Sequence, residues 1–115
     1  MALDSRMVSR LRGQAQKLEP VIWIGRRGVT DAAADQVSQS LDDHELVKGV
    51  VQDAAPDDAK GTAEQLAERL GAEVVQVIGR RFVLYRRSEK VEKRRSEKKE
   101  RDGKAAGSAG RASAR

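Results

Sequence analysis

Four consecutive residues carry the sharpest chemical signal in the chain: Gly25-Arg26-Arg27-Gly28. The apolar run Val21-Ile22-Trp23-Ile24 precedes them, and Thr30, a residue type favoured as a helix N-cap, follows. The quartet therefore reads as a loop between a strand and a helix start. Backbone amides point outward at such a place, and the helix dipole favours an anion. Glycines at both ends let the backbone turn tightly and come close to a ligand. Two arginines at the tip add planar, permanently charged forks that match phosphate oxygens. The same four residues could equally be a turn that happens to be charged, and spacing alone does not separate the two. The spacing is not that of a nucleotide-triphosphate loop, and no dinucleotide fingerprint is present.

Loops of G-x-x-G form clamp RNA backbones in KH domains, so the remaining cations matter. Arg80 and Arg81 fall at a short turn, with Arg86 and Arg87 close behind and no acid among the four. Arg80 and Arg81 are candidates for RNA contact; Arg86 and Arg87 are expected to be solvated. Lys48 shares a strand face with Leu46 and Val50, and could project toward the ligand surface of the loop. Arg6, Arg10 and Lys17 fall on one flank of a first helix. Of the aromatic residues, Trp23 and Phe82 sit in apolar strands and are expected in the core, leaving Tyr85 as the one ring expected at the surface. Recognition should then rest on phosphates and RNA shape more than on base stacking. His44 continues the face of Val37 and Leu41, and reads as a helix-end residue rather than a general base.

These residues need a scaffold. Leu3, Met7, Leu11, Ala15 and Leu18 recur at helical spacing, and Pro20 ends that helix. Ala33, Ala34, Val37 and Leu41 line a second helix after Thr30. A strand covers about Leu46 to Val51. Pro56, Asp57 and Asp58 open a third helix with the stripe Ala59, Ala63, Leu66 and Leu70, stopped by Gly71. Two strands follow, Glu73 to Ile78 and Phe82 to Tyr85, close enough for a hairpin. The order α-β-α-β-α-β-β implies a small α/β (α+β) domain. Strand–helix–strand units favour parallel neighbours and the final pair should be antiparallel, which gives a mixed four-stranded sheet.

Composition sets the outer limits. The chain has 115 residues, enough for one domain and a tail. It has no cysteine and one histidine, which argues against thiolate or histidine metal sites and against a cysteine nucleophile. No apolar run approaches a membrane span, and the charged N-terminus is unlike a secretory signal; a cytoplasmic location is expected. Net charge is +5. Through Arg87 the 13 basic residues balance 13 acidic ones, so the excess, 10 against 5, lies in residues 88–115. That segment has Val91 as its one large apolar residue. It should be a largely disordered basic tail to a folded domain of residues 1–87, with transient helix up to about Asp102 supported by the pairs Glu89/Lys93 and Glu97/Arg101. A basic tail suits a polyanion partner.

Several stretches together carry a resemblance. They are Leu18 to Gly25; Gly28-Val29-Thr30; His44 to Lys48; Val74 to Gly79; and Val83 to Arg86. In this order they resemble the bacterial YhbY-type proteins, which consist of a single CRM domain (chloroplast RNA splicing and ribosome maturation). The resemblance runs from about Ser5 to Arg86. It implies a fold similar to the C-terminal domain of translation initiation factor three, and RNA as partner. For the bacterial stand-alone forms that means ribosomal RNA in precursors of the large subunit. The family loop falls on Gly25, Arg26, Arg27 and Gly28, and the family's basic residue after the second helix on Lys48. Glu19 stands where a basic residue is common and Gln14 where leucine is usual. Gly49 replaces an apolar strand residue, and is expected to loosen that strand.

The expectation is a monomeric RNA-binding protein without catalytic residues, metal, cofactor or small-molecule substrate. Its RNA contacts are expected at Gly25, Arg26, Arg27, Gly28, Lys48, Arg6, Arg10, Lys17, Arg80 and Arg81. A competing reading is a protein-interaction module at the ribosome with a basic solubilising tail. A third, an enzyme acting on RNA, lacks a recognisable catalytic constellation.

Overall fold

The computed structural model describes residues 3–105. In chain order its elements are helix α1 (Ser5–Ala15), strand β1 (Ile22–Ile24), α2 (Asp31–His44), β2 (Leu46–Val51), α3 (Ala59–Leu70), β3 (Glu73–Ile78), β4 (Arg81–Tyr85) and α4 (Glu89–Ala105). Short polar side chains start all four of the described helices, Ser88 serving α4 by accepting from the Val91 amide. Asp4, Thr30 and Asp58 each accept a hydrogen bond from the backbone amide three residues on, which satisfies a donor that the helix cannot. Gly71 ends α3 in the left-handed conformation, and Glu45 does the same for α2 at φ 67°.

The sheet order is β1-β2-β4-β3. β1 and β2 are parallel, and both contacts of β4 are antiparallel. The sheet is mixed and four-stranded as expected, with one difference: β2 and β3 are not neighbours. After α3 the chain crosses past a gap, and the hairpin through Gly79 and Arg80 folds β4 back into it. Local pattern specifies the strands and the crossover, but not which strand fills the gap.

Side chains alternate across the strands, and two cores result. Ile22, Ile24, Val47, Val51, Phe82 and Leu84 pack under α2 and α3. On the opposite face Leu46, Val75 and Val83 pack under Leu11 and Ala15 of α1. α1 is shorter than its apolar stripe suggests. It ends at Ala15, so Lys17 and Leu18 lie beyond it, and Leu18 is exposed. Gly49 has a tight reason. A Cβ there would sit 2.4 Å from Cζ of Phe82 and 2.8 Å from a methyl of Ile22. The glycine makes room for the Phe82 ring directly across the ladder rather than loosening the strand.

Residues 89–105 form a helix where a largely disordered tail is expected, and residues 106–115 lie outside the described residues. Polar contacts hold α4 against the end of α2. Ser88 is buried. Its amide donates to Glu45 at 2.8 Å, and its hydroxyl donates to the Asp42 carbonyl and accepts from the Val91 amide. Lys90 pairs with Asp43, Arg95 with Glu45, and Arg94 donates to the Asp43 carbonyl. Asp43 is held below its ordinary value chiefly by the hydrogen bond from Lys90. The helix covers the stretch to about Asp102 where the i,i+4 pairs suggest transient helix, and charge complementarity to the acidic end of α2 supplies the docking.

Candidate nucleic-acid interface

The Gly25–Gly28 loop is a closed turn. The Gly28 amide donates to the Gly25 carbonyl at 2.9 Å. Gly28 has φ 68°, and a Cβ on it would meet the Pro56 ring at 2.9 Å; a Cβ on Gly25 would meet Oε1 of Gln52 at the same distance. At Gly28 the left-handed backbone and the Pro56 ring both call for glycine, whereas the Gln52 tip facing Gly25 can swing aside. Arg26 and Arg27, at the tip, are exposed. Among the described residues neither makes an ion pair, and neither backbone amide donates to a backbone carbonyl. Two cations and two amides are left facing solvent at one point.

The helix dipole contributes less than the sequence suggests. Thr30 already caps α2, and Asp31, in its first turn, pairs with Arg69. Anion attraction at the loop therefore falls to the two side chains and the amides of the turn itself.

The structure divides the other candidates between the two ends of the sheet. Arg80 and Arg81 lie at the hairpin, at the end that holds the loop. Arg80 pairs with Asp53, which takes up its charge. Arg81 begins β4, is exposed, and makes no ion pair among the described residues. Lys48 is at the other end. Its carbonyl receives the Val21 amide just before β1, and its ammonium caps the turn after α1 by donating to the Leu18 carbonyl at 3.2 Å. Arg6 and Arg10 are exposed on α1, and Lys17 is exposed in the turn that follows. Lys48 and α1 share one face of the sheet, because Lys48 pairs with Val83 of the α1 core.

Arg86 is not a solvated cation. Its guanidinium donates to the Leu70 carbonyl at 2.8 Å, to the Ser38 carbonyl at 3.0 Å and to Asp42 at 2.9 Å, bridging α2 and α3. Arg87 pairs with Glu92 at 2.7 Å, which holds the Glu92 carboxyl below its ordinary value. Tyr85 is half-buried against the α1 core, and burial pushes its hydroxyl up. His44 is the last residue of α2 and is exposed.

The largest departure is Trp23. It is 56% exposed, whereas Phe82 is fully buried. β1 alternates buried, exposed, buried, which turns Trp23 away from α2 and α3. Its position on an edge strand beyond the reach of α1 leaves it uncovered. A wholly apolar run gives no sign of which face stays open; the missing signal was that only one short helix precedes the sheet.

A family model for the CRS1 / YhbY (CRM) domain matches residues 3–86. The chain belongs to the CRM domain family. Relatives of this CRM protein are named as RNA-binding. A probable RNA-binding protein of Methanocaldococcus jannaschii is 37% identical over 86 residues, covering 73% of this chain and 63% of the relative, so the match spans less than two thirds of that protein. A probable RNA-binding protein of Bacillus subtilis, YqeI, is 35% identical over 78 residues, 68% of this chain and 81% of the relative. An RNA-binding protein of Haemophilus influenzae is 32% identical over 89 residues, 77% and 90% of the two chains. The fold of the CRM chain also matches the solution structure of a Staphylococcus aureus protein described as a candidate RNA-binding protein. That match has a TM-score of 0.66 and 35% identity, and covers 76% of this chain and 92% of the other.

Proposed function

We propose that this CRM protein is a non-catalytic RNA-binding protein that acts on ribosomal RNA in precursors of the large subunit. The observation that carries the reading is the exposed Arg26–Arg27 pair at the tip of a glycine-bracketed, hydrogen-bonded turn, with no acid partner among the described residues. Permanently charged forks fixed on a rigid turn suit phosphate oxygens. The names of its relatives support RNA as the polyanion. Action as a monomer in the cytoplasm is part of the same proposal.

Replacing Arg26 and Arg27 together by Ala tests it. Affinity should fall across unrelated RNA sequences alike, and the salt dependence should flatten by about one unit of slope per lost phosphate contact. Unchanged affinity with an intact fold would sink the reading. Crosslinking in cells, followed by sequencing of the attached RNA, tests the large-subunit assignment: reads spread over messenger RNA would overturn it.

A further inference from the structure

Among the described residues, nothing covers one half of the α1-side face of the sheet. α1 seals the half that holds Leu46, Val75 and Val83. Across the other half runs a single cross-strand row. Trp23 pairs with Val50, Val50 with Arg81, and Arg81 with Ile78. Paired residues point to the same side, so the four side chains stand together on the open face. Trp23 is 56% and Ile78 63% exposed, the two most exposed large hydrophobic residues described. Arg81, exposed and without an ion pair among the described residues, stands between them. Four strands at about 4.8 Å spacing make the row about 14 Å wide.

We propose that this row is a base-stacking platform for single-stranded RNA, beside the phosphate-binding loop. The occupant follows from charge and position. β1 delivers Trp23 to the platform and then runs directly into Gly25-Arg26-Arg27-Gly28, so a strand whose phosphates meet the loop has its bases over the indole. Trp23 and the loop line one shared surface depression together with Gln52. An indole offers a face to any base, and a guanidinium can stack on a base or bond its edge. An apolar partner surface would be met by an unpaired cation at its centre, which is costly to bury. A duplex keeps its bases stacked inside and cannot use the row. The platform therefore selects single strands, loops and bulges, which the loop alone does not.

The inference rests on the reading of the loop as a phosphate contact, and the test separates the two. Trp23 is the only tryptophan in the chain, so its fluorescence reports the row directly. The full chain is titrated with a 12-mer oligoadenylate and with a blunt RNA duplex of equal length. The single strand should quench Trp23, and the duplex should not. Trp23→Ala should lose about tenfold or more in affinity for the single strand and little for the duplex, and Trp23→Phe should recover most of the loss. Circular dichroism checks that both variants fold. If Trp23→Ala binds the single strand like wild type while the Arg26/Arg27 double variant does not, the platform is wrong and the loop reading survives. If neither change matters, both fall. Trp23 emission that shifts with protein concentration in the absence of RNA means that the face closes on a second copy, and overturns the proposal.

Discussion

Arg26 and Arg86 are the same amino acid with opposite duties. Arg26 projects from a turn and makes no ion pair among the described residues, whereas Arg86 is wedged between two helices and donates to the carbonyls of Leu70 and Ser38 as well as to Asp42. Removing it leaves the part-buried Leu70 carbonyl, at the end of α3, without this donor and Asp42 without its ion partner. Arg86→Ala should lower stability by about 2–3 kcal/mol in urea unfolding, with RNA affinity of the folded protein unchanged. Arg86→Lys should recover only part, since one ammonium cannot span both helices as the fork does. A loss below about 0.5 kcal/mol, the range of an ordinary surface change, would show that the bridge carries nothing. Sequence could not assign these roles. The loop is legible because its glycines and the following cap are local, but the partners of Arg86 lie 16 to 48 positions away. Gly49 follows the same logic: its reason, the Phe82 ring, is a cross-strand neighbour that pattern alone does not identify.

Among the elements, α4 is the one whose attachment depends on charge. Asp43 is held below its ordinary value by Lys90, and Glu92 by Arg87. A carboxyl depressed in the folded state stabilises that state above its ordinary value, and the contribution fades as pH falls through its native value. α4 should therefore remain docked near neutrality and loosen below about pH 4, before the apolar cores give way. Amide chemical shifts of α4 followed from pH 7 to pH 3 would show it. Shifts of α4 that change only together with those of β2 and β4 would mean that the helix is integral to the core. Strands and helices in the first 87 residues were readable from apolar spacing, since burial leaves that trace. Docking between charged surfaces leaves no period, so α4 was visible only as its i,i+4 pairs.

At the scale of the whole molecule the two sheet ends hold different cations, the loop with Arg81 at one and Arg6, Arg10, Lys17 and Lys48 at the other, and Arg81, Lys48 and α1 lie on one face of the sheet. An RNA that follows this face from end to end must pass α1. Arg10→Glu should shorten the protected region in footprinting while leaving contacts at the loop. A footprint of a few nucleotides that is indifferent to Arg10 would mean that the loop binds alone. The outer face of α2 and α3, with Asp35, Glu64 and Glu68 exposed, offers no comparable path.

Glu45 ties the family domain to the helix that follows it. It adopts a left-handed backbone that a glutamate disfavours, its carbonyl receives the Arg86 amide, and its carboxylate, in a residue only 6% exposed, is held by Ser88 and Arg95. The family match ends at residue 86, whereas both donors to this carboxylate, the Ser88 amide and the Arg95 guanidinium, lie beyond it. A fragment that stops at residue 86 loses both contacts, so the segment through Arg95 braces the family domain at the C-terminal end of α2.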